Sequence, residues 1–162
     1  MPLRFLQLPS LIELRTRDEE LRSLILAGSQ CSKSEGHLMR RLVEEREVLL
    51  PDHPWLLAHE WEVKPGLTQY GKGDMVFADA GGNLVAVEAK WIKEGPGKQT
   101  RSKRNKGRVT VRRQALRYAE ALWTWVPWAV SVEARAWTNE DPAPELLGVF
   151  PDALAARGGD CQ

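Results

Sequence analysis

The sequence predicts an α/β fold: a mixed central sheet of about four strands flanked by helices, with an extra N-terminal helix. Three observations carry this. Two short apolar runs flank Ala80-Gly81-Gly82 within residues 73–90, the pattern of a buried hairpin. Apolar stripes at helical spacing occur in residues 35–50 and 110–125. Strand-like segments at 55–63 and 128–137 complete the order helix-β-β-β-helix-β after the first helix.

Each element has its own signal. Residues 9–28 read as a helix, started by Pro9-Ser10 and stopped by Gly28, with Leu11, Leu14, Leu21 and Ile25 as its stripe. A second helix runs over 35–50, opened by a capping box from Ser32 to Glu35 or by Ser34 as N-cap, and ended by Pro51 and Pro54. Its stripe is Leu38, Met39, Leu42, Val43, Leu49 and Leu50, with Glu35 in the middle and Arg46 on the same face, reaching for solvent. In 55–63, His59, Trp61 and Val63 alternate against Ala58, Glu60 and Glu62. Residues 93–113 carry Gly95, Pro96, Gly97 and Gly107 and read mostly as a loop, so the third helix starts near Thr110 and ends near Trp125. The tail from Thr138 is expected to be partly loose. The chain divides into an N-terminal helix and loop (1–33), a central domain (34–137) and a C-terminal tail (138–162).

Composition bounds the function classes. The 162 residues are 43% hydrophobic and 28% charged, which suits one globular domain. The net charge of +1 says little about partners, so any charge argument rests on local clustering. Cys31 and Cys161 stand far apart, without zinc spacing, and fit reduced thiols. Acidic residues and the lack of an apolar core in residues 1–20 argue against a secretion signal, and no apolar run suits a membrane span. The expected setting is an intracellular, reducing compartment such as cytoplasm, nucleus or nucleoid, with no membrane partner.

The hairpin holds the chemistry. Asp74, Glu88 and Lys90 sit inside apolar runs, where an unpaired charge costs several kcal/mol, roughly. If Asp79 pairs with Asn83, Asp74 lies opposite Glu88, with Cβ atoms about 5 Å apart, and Lys90 shares their face. Two such carboxylates repel each other and make a site for a divalent cation such as Mg²⁺, which the carbonyl of Ala89 could join. Lys90 beside the ion could orient or deprotonate a water. A Glu–Lys cross-strand pair with a turn-proximal Asp fits the same residues.

Three further features add to this. Gln114 and Tyr118 are one helical turn apart and face the same way; they could contact a phosphate, or be a packed Tyr with a surface Gln. Glu35 could add a third acidic group or merely cap its helix. Lys98, Arg101, Lys103, Arg104, Lys106, Arg108, Arg112 and Arg113 form a basic stretch between the hairpin and the last helix, suited to phosphates. The three histidines have no metal-ligand spacing, and no P-loop, G-x-G-x-x-G or Ser-His-Asp order occurs.

Taken in order, inner Glu35, Gly71-x-Gly73-Asp74, Glu88-x-Lys90 and Gln114-x-x-x-Tyr118 resemble the PD-(D/E)XK nuclease superfamily. Ser34-Glu35, Gly82 to Lys90 and Arg113 to Tyr118 are similar to the nuclease domain of NucS/EndoMS-like endonucleases, over about residues 34–137. The resemblance implies a restriction-endonuclease-like core that hydrolyses DNA phosphodiesters, leaving a 5′-phosphate and a 3′-hydroxyl. It implies Asp74 and Glu88 as ligands of Mg²⁺ or Mn²⁺, Lys90 serving the attacking water and Glu35 extending the metal's water shell. Gln114 and Tyr118 would support site and DNA. The implied partner is DNA, with RNA left open. A homodimer or a larger repair or processing complex is compatible with it. Enzymes of the NucS type carry a separate N-terminal dimerisation and DNA-binding domain, for which residues 1–33 are too few. The basic stretch is also longer than the resemblance leads one to expect. A non-catalytic nucleic-acid-binding module of the same fold is the alternative expectation.

Overall fold

A computed structural model describes residues 7–28, 34–64 and 66–151. Five strands lie side by side in chain order: β1 (Trp55–Glu62), β2 (Lys72–Ala78), β3 (Asn83–Lys90), β4 (Ser131–Thr138) and β5 (Glu145–Phe150). All neighbours are antiparallel except β3 and β4, which are parallel. Parallel neighbours need a crossover, and the long helix α4 (Lys98–Trp125) supplies it. The molecule is therefore α/β with a mixed sheet. Among the described residues no helix is long and apolar enough to cross a membrane.

Strand alternation sorts side chains to two covered faces. Val76, Ala78, Leu84 and Ala86 pack with Tyr118, Ala119 and Leu122 of α4. Met75, Phe77, Val85, Val87 and Ala89 pack with Leu38, Leu42 and Val43 of α2 (Glu35–Glu44) and Leu49 of α3 (Arg46–Leu49). Burial on both faces explains why β2 and β3 read as continuous apolar runs. The first helix, α1 (Leu11–Ala27), contributes Leu14 to one cluster and Leu21 to the other. Ser10 caps it reciprocally with Glu13.

The hairpin has the expected register. Met75 pairs with Val87 and Ala78 with Leu84, and the Asp79 amide donates to the Asn83 carbonyl at 3.0 Å. The Asp79 carboxylate closes the turn by accepting from the Gly81 and Asn83 amides, while Gly82 takes a φ of +88°.

Several expectations are corrected. Residues 98–109 are helix rather than loop, since α4 begins at Lys98 directly after Gly95-Pro96-Gly97. The tail contains β5, held by pairing with β4. The 35–50 helix breaks at Glu45 into α2 and α3. Arg46 does not reach for solvent: its guanidinium donates to the carbonyls of Pro54 and Val43. Leu11 is exposed, whereas Asp18 is buried on the inner side of α1, accepting from the Leu56 amide at 3.0 Å and pairing with Arg22 at 2.9 Å. Cys31, Cys161 and Ser32 lie outside the described residues.

Candidate active site

The regular β2–β3 ladder ends at the Met75–Val87 pair. One step beyond, two carboxylates take over from the backbone. The Asp74 amide donates to Glu88 Oε1 at 2.9 Å, and the Ala89 amide donates to Asp74 Oδ2 at 2.8 Å. Each carboxylate is thus held across the strand gap by one oxygen. Among the described residues no hydrogen-bond donor reaches Asp74 Oδ1 or Glu88 Oε2. Alternation places both side chains on the α4 face, as Val76 and Ala86 are.

Two glycines let the strand approach its neighbours. A Cβ on Gly73 would collide with the Trp61 indole, and one on Gly71, at φ +97°, would stand 2.8 Å from Tyr118 Oη. The Gly-x-Gly-Asp run is therefore a steric requirement of the packing that sets Asp74 in place. Trp61 in turn meets Tyr118 edge-on, with ring centroids 6.1 Å apart.

The electrostatics follow from burial. Asp74 is pushed up to about 6, first by burial, then by the Glu35 charge, against the Ala89 hydrogen bond and the Lys90 charge. Glu88 is pushed up to about 9, first by burial and then by the Asp74 charge. Tyr118 is raised by burial and by Glu88, while the neighbouring Gln114 amide opposes the shift. Tyr118 is thus close enough to feel the charge of both carboxylates, and Gln114 hydrogen-bonds to it.

Lys90 leaves the strand end and meets Glu35 at 2.6 Å, both side chains 43% exposed. Glu35 is the first residue of α2, and Ser34 caps that helix by accepting from the His37 amide. The expectation of Glu35 aimed into the core is corrected: it lines a cleft of about 840 Å³ instead. The rest of that cleft is lined by Ser34, Gly36, Met39, Lys90 to Glu94, and Thr100, Lys103, Arg104 and Gly107 of α4; Asp74, Glu88, Gln114 and Tyr118 are not among its lining residues. Sequence reasoning missed Trp91 and Ile92, and read Lys93 only as part of the basic stretch. For the first two the only signal is adjacency to Glu88-x-Lys90.

The basic residues divide. Arg108 forms a two-point pair with Glu140 at 2.6 and 2.8 Å, and Arg112 pairs with Glu145 at 2.7 Å. These two brace α4 against the β4–β5 side. Lys103, Lys106 and Arg113 are exposed and make no ion pair among the described residues. At about 100° per residue they share the flank of α4 that carries Gln114. Lys98 and Arg101 are exposed at the first turn, and Arg104 Nε is buried without a hydrogen-bond partner. The histidines stay outside the site. His37 meets Trp91 edge-on, while His53 and His59 are lowered by burial elsewhere.

The pair suits a hard divalent cation. Its donors are all oxygen, and a bound cation would relieve the upward push that burial and neighbouring acids exert, Glu35 on Asp74 and Asp74 on Glu88. Among the described residues no group of three or more His, Cys, Asp or Glu side chains is placed to hold a metal. The chain would therefore supply Asp74, Glu88 and at most the Ala89 carbonyl, leaving the other positions to water and a phosphate, as Mg²⁺ sites commonly do. No protein-family model, curated protein or solved structure matches the chain.

Proposed function

We propose that the protein is a Mg²⁺- or Mn²⁺-dependent endonuclease of the PD-(D/E)XK type, with a restriction-endonuclease-like core, that hydrolyses DNA phosphodiesters. The observation that carries this reading is the crossed hold of Asp74 and Glu88, with Lys90 two residues on, paired with Glu35 and lining the neighbouring cleft. Asp74 and Glu88 would hold the ion, which when bound supplies positive charge to the phosphoryl oxygens. Lys90, fixed by Glu35, donates to the attacking water and sets its line of approach. Gln114 and Tyr118 wall the site and limit how the phosphate can lie. The unpaired cations of α4 neutralise the flanking phosphates.

One observation favours a second reading, a binding module that does not cut. Glu35 occupies Lys90 at 2.6 Å, so among the described residues no base stands free beside the carboxylates. Incubation of plasmid and branched DNA with Mg²⁺ or Mn²⁺ separates the two. Cleavage by the wild type, lost in Asp74→Ala and in Lys90→Ala, supports the enzyme. Salt-sensitive binding that survives Asp74→Ala, with no cleavage in either metal, supports the module.

A further inference from the structure

A second depression, of about 320 Å³, lies at the C-terminal half of α4, lined by Lys64, Tyr70, Arg117 and Trp125 among others. Tyr70 is 41% exposed and Trp125 51% exposed. Aromatic rings this exposed leave apolar area in water that a partner can cover. Tyr70 is held rather than free. Lys64 Nζ sits 4.1 Å from the centroid of its ring, and Arg117 Nη2 donates to its carbonyl at 2.6 Å.

The depression borders the candidate active site through the backbone. Tyr70 precedes Gly71, which lies against Tyr118 Oη, and Asp74 follows four residues on from Tyr70. Arg117 precedes Tyr118 on α4. Arg117 also continues the flank that carries Lys103, Lys106 and Arg113, at about 100° per residue. The cations without an acidic partner among the described residues therefore lead from the cleft beside Lys90, past Gln114, to this depression. Arg104 and Trp125 are 21 residues apart on one helix. At about 1.5 Å per residue that is a track of roughly 30 Å.

Aromatic faces with cations between them bind unpaired nucleotides: each base has a face to stack, and each phosphate has a charge to meet. We propose that the Tyr70–Trp125 depression is a nucleobase subsite, taking unpaired nucleotides of a bound strand beyond the reacting phosphate. This rests on the nuclease reading above. Lys64 and Arg117 meet the phosphates; Glu120 is the one acid among the described lining residues.

The test is fluorescence anisotropy in EDTA with a labelled 18-nucleotide oligothymidylate and a duplex of equal length. It compares the wild type with Tyr70→Ala, Trp125→Ala and Trp125→Phe. Each alanine variant is expected to bind the single strand about 5- to 150-fold more weakly, the factor for one lost base–aromatic stack. Duplex binding is expected to stay constant, and Trp125→Phe to restore most of the loss. Wild-type affinity in both alanine variants overturns the subsite and leaves the nuclease reading standing. Equal weakening on duplex and single strand also overturns it. Failure of the wild type to bind either oligonucleotide at low salt overturns both.

Discussion

Asp74 and Glu88 hold each other across the end of a sheet: the Asp74 amide donates to the Glu88 carboxylate, and the amide after Glu88 donates to the Asp74 carboxylate. Each side chain thus fills the rung that the diverging backbones leave open. Two acids are thereby fixed in a buried place where neither charge is relieved by the other.

Stability should fall as pH rises when divalent ions are withheld. Both folded-state values lie above the unfolded ones, about 6 against 3.8 for Asp74 and about 9 against 4.5 for Glu88. The native state therefore binds more protons between about pH 4 and 9, and stability declines across that window. The melting temperature in EDTA is expected to be lower at pH 9 than at pH 5, with the larger part of the drop above pH 6 where Glu88 alone titrates. Glu88→Gln removes the upper part of the decline, which scanning calorimetry would record.

Lys90→Ala should separate activity from stability. The Lys90–Glu35 pair is half-exposed, so its loss costs about 1 kcal/mol or less. Cleavage should fall at least about 100-fold, the usual scale for a group acting on the attacking water. Chemical denaturation and a plasmid-nicking time course report the two quantities.

The two sides of α4 should differ in salt dependence. Arg113→Ala removes a cation without an acidic partner among the described residues and is expected to lower the slope of log affinity against log salt by about 0.7–0.9. Arg112→Ala breaks a pair with Glu145 and should leave that slope nearly unchanged. Binding isotherms at four salt concentrations give both slopes.

Gly73→Ala should act through Trp61. The added methyl has no room beside the indole, and overpacking costs about 1–3 kcal/mol. A lower melting temperature is expected together with loss of cleavage, because the strand carrying Asp74 must move. A variant that melts like the wild type would remove the steric account of this glycine.

The hairpin is legible in the sequence because two apolar runs and a glycine turn agree there. The glycine turn and the Asp79–Asn83 closure set the register, and that register alone put Asp74 opposite Glu88. The first half of α4 was not legible. Gly95, Pro96, Gly97 and Gly107 punctuate it, and residues 98–109 bury little, so no apolar stripe marks the helix. Straight-chain Lys, Arg and Gln nonetheless favour helix, and the junction with the buried Val111–Leu122 segment extends it. β5 was hidden because Glu145–Phe150 lacks alternation, and pairing with β4 defines it. Glu35 lies on the expected side of its helix but nearer the surface than the stripe implies. A first-turn residue overhangs the layer, so its carboxylate meets Lys90 at the cleft instead of entering the core. Trp91 and Lys93 belong to no spacing rule, since it is folding that brings α2 and α4 to either side of them.

The central claim, that Asp74 and Glu88 form a divalent-cation site, is tested most directly by calorimetric titration of Mn²⁺ at pH 8 in buffers of different ionisation enthalpy. The expected result is binding that releases a proton from the wild type, because Glu88 is held protonated up to about 9, and that is lost in Glu88→Gln and in Asp74→Asn. Absence of Mn²⁺ binding, or equal binding without proton release in all three proteins, would contradict it.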